Sequence, residues 1–491
     1  MNIKRYIIGT AMVGGLCMML NAQSFDMALK YRIETSGNIS NGTYAPLWFT
    51  ANRYGLSSVA PNTGFLRTGL SFHKKLNHGW SLNMAADIAA TTHQTADIVI
   101  QQLYADISWR CLNLGIGSKE RAGFPLVKNT HISSGMMVEG TNARPVPQVR
   151  GEIKEYVPFP GTNGWLSLKG HVAYGIFSDG NWQESFAFAG EKYMKDVYYH
   201  SKSLMFRVGN VKKFPVEFEV GLLEAAQFAG KQYEHNDDGT STLVTVMPHG
   251  LKSFMKAFIP KHYGGLYNVE GNHLGSWNFA LNYYVDSWKF RLYLEHYFED
   301  HSQMFWEYGR WKDGQLGVEI SFPDNLWIRS FVWEGMSTKD QSGPILYDQV
   351  AGTFGCQISA GDNYYNNGNY LAWQHWGMGM GQPFLYGPAY NKDGSISFKS
   401  NRVKSQHIGI EGEPSEEWAY RVLLSYVRHW GTYGYPLDKQ RKQFSSLYEI
   451  TYSPKQAKGW HFILGMGLDR GNYLGNSLGG ILSIRKIGKI L

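Results

Sequence analysis

Beyond its first 22 residues the chain has no run of 18 or more apolar residues, so it contains no helix greasy and long enough to cross a bilayer. Cysteine is scarce as well, at Cys17, Cys111 and Cys356. The last two suffice for one disulfide in an oxidising compartment, and are too few for a disulfide scaffold or a zinc site. A strong charge of one sign is also missing: the formal +7 falls to +5 when Lys4 and Arg5 are set aside. That mild bias tolerates an anionic partner without arguing for one. Nor are there HExxH, GxSxG, P-loop or paired CxxC motifs, so no cofactor, metal, nucleic-acid partner or enzymatic activity is expected.

What the chain does have begins with a leader. Lys4 and Arg5 precede a mostly apolar stretch from Ile7 to Leu20, and Ala22 supplies a small residue before Gln23. This pattern reads as a secretory signal over residues 1–22, with the functional chain at 23–491. Cys17 does not make it a lipoprotein signal, because Leu16 stands where a small residue is wanted.

Aromatic residues are abundant, with 31 Tyr, 26 Phe and 16 Trp, and so is glycine at 56. Mean hydropathy is negative although 43% of residues are hydrophobic. Spreading apolar side chains over every second residue has this effect. In "WKFRLYLEHYF" (288–298), Trp288, Phe290, Leu292, Leu294 and Phe298 oppose Lys289, Arg291, Tyr293, Glu295 and Tyr297. A period of two is the signature of a strand with one apolar and one polar face.

The same pattern recurs at 165–176, 216–223, 278–286, 418–427 and 460–469, with weaker candidates elsewhere, among them 354–360. Ser287 alone separates the runs 278–286 and 288–298, which predicts a tight hairpin. The total is roughly 18 strands, an even number as bacterial barrels require. Two packed sandwiches could use as many. Trp165, Trp288, Trp418 and Trp460 each open an apolar face, however, where an aromatic girdle meets lipid headgroups. The expected fold is all-β: an outer-membrane β-barrel of about 18 antiparallel strands, whose long connections at 119–146, 178–200, 225–275, 335–353 and 361–404 are the usual place for function.

"GMGMG" (377–381) lacks nucleotide-cradle spacing and suits a flexible or closely packed loop. His200, Ser201 and Lys202 are adjacent, but catalytic triads assemble in space rather than along a strand. Glu217 and Glu219 share a strand face at roughly 7 Å, a spacing an acid/base pair could use and solvated lumen charge could equally explain. "DNYYNNGNYLAWQHWG" (362–377) mixes Tyr364, Tyr365, Tyr370, Trp373 and Trp376 with amides, as a surface that stacks on sugar rings would. A girdle with turn residues has the same composition.

Several connections together resemble the Wzi-type capsule assembly family in its Bacteroides-like branch. They are "APLWFTANRYGL" (45–56), "GFLR" (64–67), "SSGMMVEGTNARPVPQVR" (133–150), "YYHSKSL" (198–204), "DNYYNNGNY" (362–370), "GQPF" (381–384) and "SNRVKSQHIGIEG" (400–412). The resemblance implies a bacterial outer-membrane barrel with a small helical periplasmic part. It further implies a lectin-like, non-catalytic role in attaching capsular polysaccharide at the cell surface. The matched positions are Asn142, Arg144, Pro145, Pro147, Asn401, Arg402, Asp362, Asn363, Tyr364 and Tyr365. From these, Arg144 and Arg402 are expected as lumen or periplasmic-rim cations, and Tyr364, Tyr365 and Trp373 as sugar platforms. The expected partners are the polysaccharide and membrane lipid, around a monomeric barrel. An oligosaccharide porin and an outer-membrane hydrolase are the alternatives. The chain ends "RKIGKIL", without the aromatic terminal residue common in such barrels.

Overall fold

The structure is a computed structural model that describes residues 27–123, 125–259, 270–299, 304, 312–343 and 361–491. The leader, Cys356 and the candidate strand 354–360 lie outside the described residues. The wall begins with β1 (Met27–Ser40), β2 (Asn62–Lys75), β3 (Trp80–Thr92), β4 (Ile98–Trp109), β5 (Leu112–Ser118), β6 (Gln148–Pro158) and β7 (Leu166–Ile176). After β8 (Lys192–Lys195) it continues through β9 (Tyr198–Val208) and β10 (Val216–Phe228). The strands β11 (Lys231–His235) and β12 (Ser241–Val246) form a small sheet with β8, their hairpin tip being the polar "HNDDGTST" segment. The wall resumes with β13 (Asn272–Val285), β14 (Trp288–Glu299), β15 (Gly314–Ser321) and β16 (Ser330–Ser337). Four two-residue strands, β17 (Asn366–Asn367), β18 (Leu371–Ala372), β19 (Gln374–His375) and β20 (Met378–Gly379), form two miniature hairpins. The wall ends with β21 (Val403–Gly412), β22 (Trp418–Gly431), β23 (Pro436–Tyr452), β24 (Trp460–Gly471) and β25 (Ser477–Lys489).

Eighteen of these strands form one antiparallel sheet, and β1 pairs with both β2 and β25, which closes it. The β13–β14 hairpin has Val285 opposite Trp288, with Asp286 at φ 49° in the two-residue turn. On β14, Leu292 is 46% exposed while Glu295 is 0% exposed. A water-soluble protein inverts that order, burying leucine and exposing glutamate. Here the leucine looks out to lipid and the carboxylate into the lumen, so the sandwich alternative fails.

On β22 the outward row runs from Trp418 through Tyr420, Val422 and Leu424 to Tyr426; on β24 it runs from Trp460 to Leu468. Each apolar row covers nine residues, which at strand rise and a tilt near 40° makes a belt on the order of 20 Å tall. This is the height of a bilayer core for a tilted strand wall. A closed barrel girdled by such a belt is an outer-membrane protein.

The connections differ between the two ends. At one end all are short, from two residues (Arg110–Cys111) to eight (Phe322–Arg329); at the other, beside the short turns 93–97, 432–435 and 472–476, lie the segments 41–61, 119–147, 177–197, 229–271 and 338–402. Short turns are periplasmic and long loops extracellular in such barrels. Trp80, Trp109, Trp165, Trp288, Trp418 and Trp460 all stand at the short-turn end, forming one girdle. The helical part is placed otherwise than the resemblance implied. The helices Leu47–Thr50, Trp182–Phe186 and Leu251–Phe258 all belong to long-loop connections, and among the described residues the short-turn end has one 3-10 turn, Asn77–Gly79. Leu251–Phe258 has a physical reason for its position: it lies on the outer wall against Tyr174, Tyr198 and Phe228, and its Phe258 carbonyl accepts from Lys202 there.

Candidate functional site: the plug and the rim around it

Three long connections fold into the lumen at the extracellular end. Leu47, Trp48 and Phe49 of the first, Ile132, Met137 and Val138 of the second, and Tyr365, Trp373, Phe384 and Phe398 of the third share one apolar cluster. Inward-facing Val332, Leu423, Val427, Leu447 and Ile481 of the wall join it. The inner wall is therefore apolar where it meets this plug and charged below it.

Ion pairs and hydrogen bonds pin plug to wall. Lys128 is fully buried; it pairs with Glu295 and donates to the Gln315 side chain (2.7 Å) and the Gly135 carbonyl (2.9 Å). Glu334 accepts from the Ser134 N–H (2.5 Å) and the Tyr293 hydroxyl (2.6 Å). Arg53 reaches Glu449 at 3.3 Å, a carboxylate already held by Arg421 at 2.7 Å. Buried charges of this kind persist because each is paired and hydrogen-bonded. Sequence reading missed Lys128, though a single lysine in the apolar run "FPLVKN" was the available signal.

The residues chosen from sequence gather inside this plug. Tyr364, Tyr365 and Trp373 are at most 1% exposed. The Tyr365 N–H donates to Glu299 (2.6 Å), its hydroxyl donates to the Met137 carbonyl, and the same oxygen accepts from the Gln382 N–H (3.0 Å). Trp373 donates its indole N–H to the Val138 carbonyl (2.8 Å). Asn401 donates to the Tyr364 carbonyl (2.8 Å) and to Asn363 (2.5 Å), and Asn142 donates to the Gly379 carbonyl (2.9 Å). The structure thus brings the matched segments together, but it buries the three rings expected as sugar platforms inside the plug, where none of them is open to a polymer at the surface.

Of the two loops "GMGMG" suited, flexible or closely packed, the structure has the closely packed one. A Cβ at Gly377, whose φ is +82°, would stand 2.6 Å from Trp182, and one at Gly381 would strike the Tyr365 hydroxyl.

Neither arginine lies at the periplasmic rim. Arg144, 5% exposed, stacks over Trp376 (4.2 Å) and donates to the Gly55 carbonyl (3.3 Å) and the Thr95 hydroxyl (2.7 Å). Burial pulls its guanidinium down to about 10. Arg402 stands at the opposite, extracellular rim, half-buried, over the Tyr433 ring at 3.8 Å. Beside it Lys339 lies over Trp430 at 4.8 Å, a basic and aromatic edge that was not legible from spacing.

Of the two chemistry-bearing arrangements weighed from sequence, the first comes apart and the second keeps its shared face. Strand alternation sends Ser201 into the lumen and its neighbours His200 and Lys202 to the outer wall. Ser201 meets His171 at 2.8 Å, yet the nearby Glu139 accepts from Ser201 rather than orienting the imidazole. Glu217 and Glu219 both face the lumen, where Tyr284 donates to the first (3.1 Å) and Tyr156 (3.0 Å) and Asn282 (2.9 Å) to the second.

Below the plug the lumen is hollow. A cavity of about 590 Å³, lined by Arg53, Arg421, Glu449 and Arg485, reaches Arg329 and Glu413 near the short turns. Another of about 310 Å³ lies against Arg32, Glu34 and Arg67.

No protein-family model and no curated protein sequence matches the chain. Solved barrels do. Wzi of Escherichia coli, described as a carbohydrate-binding β-barrel of the outer membrane involved in group 1 capsule assembly, is similar with a TM-score of 0.56 at 13% identity, over 96% of this chain and 86% of that one. OprD of Pseudomonas aeruginosa gives 0.45 at 10% identity, over 96% and 98%. At such identities the likeness is one of fold.

Proposed function

We propose that this protein is a non-catalytic, lectin-like component of the outer membrane that helps attach capsular polysaccharide to the cell surface. The observation that carries the reading is the plug. A bonded apolar core across the extracellular end of the lumen stands in the way of a passing oligosaccharide, whereas a surface anchor requires no passage. The likeness to a carbohydrate-binding barrel supports the reading from outside. Of the five residues chosen from sequence, Arg402 reaches the extracellular rim, and with Tyr433 it forms the first contact we assign to the polymer. Tyr364, Tyr365, Trp373 and Arg144 act behind it by holding the plug in shape.

The test is capsule retention. Deleting the coding region is expected to leave polymer synthesis unchanged and to move polysaccharide from the cells into the medium. Unchanged retention overturns the reading and brings the porin alternative forward, for which planar-bilayer conductance of the purified protein is the measurement.

A further inference from the structure

The outer wall carries two polar clusters just beyond the lipid belt on the extracellular side, and they differ in how they are satisfied. On β9, β10 and β13, Lys202 pairs with Glu224 (3.0 Å), His273 meets the same carboxylate (3.0 Å), and Lys202 donates to the Phe258 carbonyl of the covering helix. That cluster is closed by the protein itself.

The other lies on β21 to β24. Lys404 faces Arg428 directly across the ladder, Arg428 faces Lys442, and Arg470 stands on the next strand, level with Phe444. All four are outward and exposed. Directly opposed residues stand about 5 Å apart at Cβ, and like charges so placed repel and destabilise the sheet. Among the described residues none of the four forms an ion pair, and the Arg428 guanidinium lies over the Trp430 ring at 5.7 Å. At the outward positions of these four strands the sole carboxylate is Asp438, four residues beyond Lys442 toward the loop tip.

Each cation sits two residues past the apolar row on β22, β23 and β24: Arg428 after Tyr426, Lys442 after Phe444, and Arg470 after Leu468. This is the depth of lipid headgroups on the outer leaflet. We infer that Lys404, Arg428, Lys442 and Arg470 form a binding site for a phosphate-bearing lipid headgroup of that leaflet. The apolar row beneath takes the acyl chains, and the phosphate supplies the negative charge that the wall lacks. A phosphate between neighbouring guanidinium and ammonium groups accepts charge-assisted hydrogen bonds from both. This inference does not depend on the capsule reading.

The experiment uses the full chain purified in detergent, with lipid binding followed by native mass spectrometry. Lipid A carrying both phosphates is compared with dephosphorylated lipid A, for the wild type, for the single variants K404Q, R428Q, K442Q and R470Q, for all four combined, and for R110Q at the short-turn end as a control. Each substitution in the cluster is expected to weaken binding of the phosphorylated lipid about five-fold. Binding of the dephosphorylated lipid and the R110Q control should not change. The combined variant should keep the heat-modifiable gel migration of a folded barrel, since it removes repulsion. Undiminished binding of phosphorylated lipid A by the combined variant overturns the site. So does equal wild-type affinity for the two lipids, a comparison that stands even if the combined variant does not fold. If the same residues instead bind an acidic polysaccharide such as polygalacturonate and leave the lipid unaffected, the lipid assignment is overturned in favour of a polymer face.

Discussion

The wall and the plug of this barrel solve opposite problems with similar side chains. Across the lipid belt of the wall, large apolar side chains face outward with no charge among them; Leu464 is 62% exposed on β24, while Asp469 on the same strand is 2% exposed. In the plug, tryptophan, tyrosine and phenylalanine turn to one another as in a soluble core. The wall is organised by a period of two along each strand, the plug by contacts between segments hundreds of residues apart. Trp373 reaches Val138 across 235 positions, and Tyr365 reaches Met137 across 228. A local rule builds the container, and a non-local one closes it.

The sharpest way to break this contrast is Trp373→Ala. Emptying a buried indole site costs about 3–5 kcal/mol, which should fall on the plug and spare the wall. Expected are protease cleavage within 361–402 and new conductance in planar bilayers, with heat-modifiable migration retained. If Trp373→Ala instead unfolds the barrel as a whole, plug and wall form one cooperative unit.

The mirror experiment is Leu464→Arg, at the middle of the β24 belt. A cation at the bilayer midplane costs about 2–4 kcal/mol, seen as lower stability in urea titrations within lipid vesicles, while protease resistance of 361–402 stays as in the wild type.

Between the two regions stands the Arg53–Glu449–Arg421 bridge, where one carboxylate serves a plug arginine and a wall arginine. Glu449→Gln should cost about 1–3 kcal/mol, loosening residues 41–61 in hydrogen exchange before any strand.

The smallest effect is a pH dependence confined to the plug. Burial, helped by the charge of Arg144, pulls the imidazole of His375 down to about 4, against the opposing pull of the Arg144 and Ser178 carbonyls. The unfolded loop, titrating near 6.5, binds more protons than the folded one between those values, so stability is full above pH 6.5 and declines toward pH 4. Protease sensitivity of 361–402 should rise over that interval. His375→Gln should flatten the response.

How legible each part was follows from the same contrast. The outward faces of 165–176, 216–223, 418–427 and 460–469 were readable residue by residue, because a one-residue slip would have put leucine in the lumen and glutamate in lipid. The tight hairpin at 286–287 was readable too. The plug residues were recognised as a group of aromatic rings among amides, but their exposure was misjudged. Composition is the same whether a tyrosine stacks on a sugar or packs edge-on against Tyr297, as Tyr364 does at 4.6 Å. The row of Lys404, Arg428 and Lys442 could not be seen either, since the three lie on separate strands and only the ladder register aligns them.

The sequence by itself determined a closed wall of alternating strands bound for lipid, because alternation is a property of neighbours in the chain. Whether the lumen is open, which aromatic rings are sealed and where cations converge were decided by tertiary structure alone. Those depend on which distant segments fill the same volume, and period and composition carry no record of that.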